Sequence, residues 1–260
     1  MMQHKFKKHF GQNFLQDENI IQKIVSIEDL TFEDLVIEIG PGAGALTKKL
    51  IEKTNVLAYE IDTELKDCLS KLQDSGHFSI IWADFLKRNI LNDLSDYKYK
   101  NLYIISNLPY YITTPIIEKI INEKIDVRAM ILMVQKEVGE RFIASPGTKN
   151  YGSITVFLNY YFDITKSFDV SKNCFYPKPN VDSCILKFKR RTNQFNVIDE
   201  DKFFKLIRDS FRYKRKTLKN NLSTYDLVKI EEILKKNNLD LSVRAENISL
   251  LIFIEIANNL

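Results

Sequence analysis

The chain has 260 residues, 45% hydrophobic and 28% charged, with a formal net charge of +4. That balance fits an ordinary soluble protein of one large domain, or one large and one small, whose core needs no disulfide or metal staples. Three cysteines (Cys68, Cys174, Cys184) without a C-x-x-C pair and only three histidines (His4, His9, His77) argue against structural zinc or a histidine-based metal centre, and fit a reducing cytosol. The basic residues 1–8 lead into no apolar stretch, so no secretory signal is expected, and no apolar run approaches the ~18 residues of a membrane span. The sequence therefore predicts a cytoplasmic protein with no metal and no membrane partner.

Residues 1–16 carry three lysines and no acid, and end in Phe10-Gly-Gln-Asn-Phe-Leu15. Residues 17–25 read as a helix, with Asp17 as cap and Ile20, Ile21, Ile24 and Val25 on one face. Residues 35–39 form a short apolar strand running into Gly40-Pro-Gly-Ala-Gly44, after which 46–51 turn helical. Strands follow at 56–60, 78–82, 102–106 and 129–134, with helices expected at 61–72, about 115–121 and about 136–144. Ile154, Phe157, Leu158 and Tyr161 keep helical spacing. Residues 162–168 and 182–188 read as two further strands, expected to pair as an antiparallel edge. After Arg191 the pattern changes: 192–198 read as a linker, and helices are expected at 203–222, 224–237 and 249–258. The alternation of short apolar strands and helices predicts an α/β fold with a doubly wound, mostly parallel sheet over 1–191, followed by a small all-helical domain over 192–260.

Gly40, Gly42 and Gly44 close a strand and open a helix, where glycines let backbone approach a ligand and helical N–H groups stand free. Glu60, ending the second strand, can bind both hydroxyls of a ribose, and Asp84, ending the third, can receive an adenine amino group. This ordered set predicts an adenosine-containing cofactor, and Gly40, Gly42 and Ala45 satisfy a dinucleotide fingerprint equally well. The fourth strand separates the two options. It ends in Asn107-Leu108-Pro109-Tyr110, with no hydride-transfer acid. The amino nitrogen of adenine is a poor nucleophile, because its lone pair is delocalised into the ring. An Asn oxygen and a main-chain carbonyl at a Pro-stiffened turn can accept its two N–H groups, and an aromatic ring can stack on the base. Taken alone, Asn-x-Pro is also common loop punctuation. All four strand ends are expected at one sheet edge, around one cleft.

The motifs Phe10-Gly-Gln-Asn-Phe-Leu15, Glu38-Ile-Gly-Pro-Gly42, Asn107-Leu-Pro-Tyr110 and Gln135-Lys-Glu-Val138 occur in that order. Lys149-Asn-Tyr-Gly152, Phe175-Tyr-Pro-Lys-Pro-Asn-Val-Asp-Ser183, Arg215-Lys-Thr-Leu-Lys-Asn-Asn-Leu222 and Arg244-Ala-Glu-Asn247 follow. With these the chain resembles, nearly end to end, the small-subunit (16S) ribosomal RNA adenine N6-dimethyltransferases, also called the kasugamycin-resistance dimethyltransferases. The resemblance implies S-adenosyl-L-methionine as methyl donor and no metal. It implies dimethylation of two adjacent adenosines near the 3′ end of small-subunit rRNA, on an immature small ribosomal subunit; the chain is expected to act as a monomer. Carried over by motif, Asn13 and Leu15 close over the donor, Gly40 contacts its methionine part, Glu60 its ribose and Asp84 its adenine. Asn107 touches donor and target amine, Tyr110 stacks on the target base, and Phe175 is the candidate for its opposite face. Many relatives continue the tetrapeptide with Asn-Ile-Ser-Thr-Pro, where this chain has Tyr111-Ile-Thr-Thr-Pro115.

Residues 187–219 hold twelve Lys/Arg against four acids, net +8, so the remainder of the chain is net −4. Arg208, Arg212, Arg215, Lys216 and Lys219 recur at roughly helical spacing, opposite an apolar stripe of Phe204, Ile207, Phe211, Leu218 and Leu222. This segment reads as a grip on an RNA backbone. The rivals are a large-subunit (23S) rRNA adenine methyltransferase of the same fold and a non-catalytic ribosome assembly factor. The intact tetrapeptide argues against the second.

Overall fold

The computed structural model describes residues 13–192 and 195–260. The basic residues 1–12, with the first part of the Phe10–Leu15 motif, and residues 193–194 of the expected linker lie outside the described residues. The elements in order are β1 (Phe14–Leu15), α1 (Glu18–Val25), β2 (Leu35–Ile39), α2 (Ala45–Leu50), β3 (Asn55–Tyr59), α3 (Lys66–Gln73) and β4 (Phe78–Ile81). Then come α4 (Ile90–Leu94), β5 (Leu102–Asn107), α5 (Thr113–Asn122), β6 (Ala129–Gln135), α6 (Lys136–Phe142), α7 (Ser153–Tyr161), β7 (Phe162–Val170), β8 (Phe175–Tyr176) and β9 (Ser183–Arg190). Last are α8 (Glu200–Ser210), α9 (Leu218–Asn221), α10 (Leu227–Lys236) and α11 (Leu250–Asn259).

Seven strands form one sheet in the order β4-β3-β2-β5-β6-β9-β7. The pairs β2–β3, β2–β5, β3–β4 and β5–β6 are parallel, and β9 runs antiparallel to β6. Strand β2 is buried at every position, which is why Leu35-Val-Ile-Glu-Ile39 reads as a continuous run and not an alternating one. Helix α1 starts where Asp17 accepts from the Asn19 and Ile20 amides, and it buries Ile21, Ile24 and Val25. Each such side chain removed from water contributes roughly 1.5–3 kcal/mol before entropy is subtracted. The helix expected over 61–72 begins instead as a short 3-10 turn, Thr63–Leu65, capped by Asp62.

Contacts divide the chain into two compact units, and residues 140–164 group with 191–260 and not with the sheet. The reason is packing. Val156 and Tyr160 of α7 share an apolar cluster with Phe203, Leu206, Ile233 and Phe253 of α8, α10 and α11. A single cut after residue 191 separates α7 from the helices it packs on. The expected continuous helix over 203–222 is also broken. Helix α8 ends at Ser210, and α9 starts only at Leu218. Asn221 explains the gap: its Nδ2 donates to the Ser210 and Tyr213 carbonyls, and its Oδ1 accepts from the Tyr213 amide. One side chain thus holds the turn's backbone groups in place of the next helical turn.

Candidate active site

The pairing of β2 with β5 runs from Leu35↔Leu102 to Ile37↔Ile104 and goes no further. Beyond it the Ile39 amide donates to Ser106 Oγ at 2.7 Å, so a side chain replaces the ladder where the two strands part. This is also where the strand order reverses, the place at which open α/β sheets bind ligands. A cavity of about 1260 Å3 opens there, lined by the ends of β2, β3 and β5 and by the loop after β4. That exceeds the roughly 300–1,000 Å3 of a pocket for one small ligand.

One end of the cavity is built on buried carboxylates. Glu60 is 6% exposed. Its Oε2 accepts from the Gly42 amide at 3.2 Å and its Oε1 from the Asp62 amide at 2.8 Å. Burial pushes the Glu60 carboxyl above its ordinary value. Glu38, 2% exposed, accepts from the Thr47 hydroxyl at 2.7 Å, and burial, with Glu60 nearby, pushes it up to about 8. The glycine turn is a close fit. Gly42 has φ +57, and a Cβ there would stand 2.5 Å from the Phe14 ring. Only glycine combines that backbone with that approach. Asp84 caps the next turn by accepting from the Leu86 amide at 3.0 Å. Behind that turn Phe85 meets Tyr59 edge-on at 5.1 Å, and Asp93 binds both the Tyr59 hydroxyl and the Arg88 guanidinium. The wall beside Asp84 is therefore tied to the end of β3.

The other end is built on the tetrapeptide. Asn107 Nδ2 donates to the Asn13 carbonyl at 3.1 Å. That bond fixes which way the amide points and leaves Oδ1 as the acceptor. Leu108 is buried, and Pro109, at φ −57 and ψ 127, starts a short 3-10 turn, Tyr110–Ile112. The Ile112 amide closes that turn on the Pro109 carbonyl at 3.1 Å. The Tyr110 hydroxyl bonds Ser183 Oγ at 2.7 Å, so its ring is held from behind by β9. Burial raises the pKa of this phenol, keeping it neutral.

Asn13, Leu15, Gly40, Glu60, Asp84, Asn107, Leu108, Pro109 and Tyr110 all line the cavity, as their motifs suggest. Phe175 does not. It is 4% exposed, packs in the apolar core, and pairs with Leu15 where β8 runs antiparallel to β1. Alternation along a strand turns its neighbour the other way, and Tyr176, 55% exposed, lines the cavity instead. Arg208, Arg212, Arg215, Lys216 and Lys219 belong to the helical unit and are exposed. They sit on α8, on the turn after it and on α9, not on one helix. Sequence reasoning assigned no role to Glu38, Ser106 or Tyr176. An acid inside a wholly apolar strand was the available signal for Glu38; nothing local distinguishes Ser106 from an ordinary strand-end serine.

The sequence matches, over residues 3–260, the family described as ribosomal RNA adenine dimethylase. The chain belongs to that family. It is 46% identical to the ribosomal RNA small subunit methyltransferase A of Mycoplasma mobile over 255 residues, covering 97% of each chain. The enzyme of the same name from Lactococcus lactis is 42% identical over 264 residues, covering 98% of this chain and 90% of that one. Among solved structures, a dimethyladenosine transferase from Plasmodium falciparum superposes with a TM-score of 0.77 at 25% identity, covering 94% of this chain and 95% of that chain. The 23S rRNA methyltransferase ErmE has a TM-score of 0.76 at 23% identity, covering 95% and 99%. At that identity ErmE attests the fold alone. The chain is thus an rRNA adenine methyltransferase with a Rossmann-like sheet.

Proposed function

We propose that this chain transfers methyl groups from S-adenosyl-L-methionine to the exocyclic amines of two adjacent adenosines near the 3′ end of small-subunit (16S) rRNA, two methyls to each, during ribosome biogenesis. The observation that carries the reading is the orientation of Asn107. Its amide nitrogen is committed to Asn13, which leaves its oxygen as the acceptor, and Asn107 lines the same cavity as Glu60 and Asp84.

The donor end fits an adenosine-containing cation. Glu60 suits ribose hydroxyls, Asp84 an adenine amino group, and the buried Glu38 carboxyl beside Glu60 can ionise as a positively charged ligand enters. The Gly42 turn keeps the wall within reach of backbone. When bound, the donor supplies an electrophilic methyl group on a sulfonium. The protein's own work is to prepare the nucleophile. Asn107 Oδ1 and the Leu108 carbonyl accept the two N–H groups of the target amine, which directs its lone pair out of the ring. Tyr110 supports one face of the base, and Tyr176, not Phe175, is the exposed ring available to the other. The methylated amine is cationic and loses its proton to water, so no titrating side chain is assigned. Catalysis rests on alignment and electrostatics. Arg208, Arg212, Arg215, Lys216 and Lys219 are the proposed grip on the rRNA backbone, and the enzyme acts as a cytoplasmic monomer.

The test supplies labelled donor with small or large ribosomal subunits lacking the modification, then maps the product. Label on two neighbouring adenosines of the small subunit is expected; label confined to the large subunit would overturn the assignment.

A further inference from the structure

Five aromatic side chains are strongly exposed among the described residues: Phe32, Tyr99, Tyr111, Tyr176 and Tyr213. Two of them, Tyr111 and Tyr176, also line the cavity. Tyr111 is the more open, at 63%. It differs from Tyr110 in how it is held. Tyr110 is half-buried with its hydroxyl on Ser183, whereas Tyr111 projects to solvent from the same short turn. That turn is fixed by Pro109 and by the Ile112–Pro109 bond, so the ring is presented from a rigid backbone. A tyrosine has two side-chain torsions to order, so a flat apolar partner is captured at small entropic expense. No step of the reaction uses this ring.

We infer that Tyr111 is a stacking platform for the nucleotide next to the target, holding one of the two adjacent adenosines at the cavity mouth while the other is in the pocket. The inference rests on the rRNA reading above. Its chemistry is general: unstacked bases lie on exposed aromatic rings, with little regard to base identity. A single platform beside the pocket supports a neighbour on one side of the target only. For one target the neighbour on that side is the other adenosine and for the other it is a different nucleotide, and stacking that tolerates any base supports both transfers.

The experiment compares full-length wild type, Tyr111→Leu, Tyr111→Asn and Tyr111→Phe on unmodified small subunits. It reads KM for the particle, kcat, the methyl count at each adenosine by mass spectrometry, and donor affinity by calorimetry. Base stacking of ordinary strength corresponds to roughly 5- to 150-fold in affinity. Tyr111→Leu should raise KM for the particle on the order of tenfold, lower the methyl count at both adenosines when enzyme is limiting, and keep donor affinity. Tyr111→Phe should behave as wild type. Tyr111→Asn repeats the loss if the leucine variant does not fold. Wild-type KM and wild-type methyl counts in the non-aromatic variants would overturn the inference, as would a phenylalanine variant no better than leucine. A wild type that modifies large subunits instead overturns the small-subunit assignment alone, and the same variants read on that substrate still decide the role of Tyr111.

Discussion

The two ends of the cavity are made differently. At the Glu38–Glu60 end the two carboxyl groups are buried and bonded to amides and a hydroxyl, the glycine turn packs close to Phe14, and the half-buried Asp84 caps its own turn. At the Asn107 end only the inner atoms are fixed, and the rim is open tyrosine. A small ligand can be enclosed on all sides, because it is bound once per transfer and has a constant shape. A nucleobase attached to a ribosomal particle must enter, leave and return with an extra methyl, so its site needs fixed acceptors and a loose rim.

The sharpest way to break the contrast is Asn107→Ala. It should lower methyl transfer at least a hundredfold in single-turnover assays while donor affinity stays within a few-fold. Comparable loss of donor binding would mean the two ends are not separable. Gly42→Ala should do the reverse. A methyl group 2.5 Å from the Phe14 ring, on a backbone with φ +57, must displace that ring, which lines the donor end. Donor affinity should fall roughly tenfold, and stability by about 1–3 kcal/mol in denaturant unfolding. Unchanged calorimetric affinity would contradict the packing. Arg212→Glu with Arg215→Glu addresses neither end. It should weaken particle binding several-fold and flatten its dependence on salt, by about one unit of log–log slope per lost phosphate contact, with donor affinity intact. Particle affinity equal to wild type across a salt series would remove these residues from the RNA grip.

Most of the donor end was legible in the sequence, because strands buried on both faces read as apolar runs whose ends are marked by Gly40, Glu60 and Asp84. The tetrapeptide was legible for the same reason, standing where β5 stops. What was not legible depends on contacts far apart in the chain. Phe175 and Tyr176 are adjacent aromatics, and only the pairing of β8 with β1 decides which faces the core. The break between α8 and α9 escaped periodicity, since Phe211 and Leu218 keep helical spacing while Asn221 takes the turn's backbone groups. Helix α7 lies between sheet strands β6 and β7 in sequence, yet its apolar face matches α8 and α11.

Glu38 adds a consequence for proton counting. Its ordinary value is 4.5, and in the folded chain it is about 8, so near neutrality the fold retains a proton that the unfolded chain has released. The group's stabilising effect is therefore complete below about pH 4.5 and disappears as pH climbs through about 8. Melting temperatures of wild type should decline over that window more steeply than those of Glu38→Gln. The same proton is exposed to any cation that enters beside it. A sulfonium bearing an ammonium group favours the ionised carboxylate, so donor binding should expel part of a proton into the buffer. Calorimetry in two buffers of different ionisation enthalpy would count it, and donor affinity should improve with rising pH up to about 8. Equal heats in the two buffers would show that Glu38 keeps its proton when the site fills.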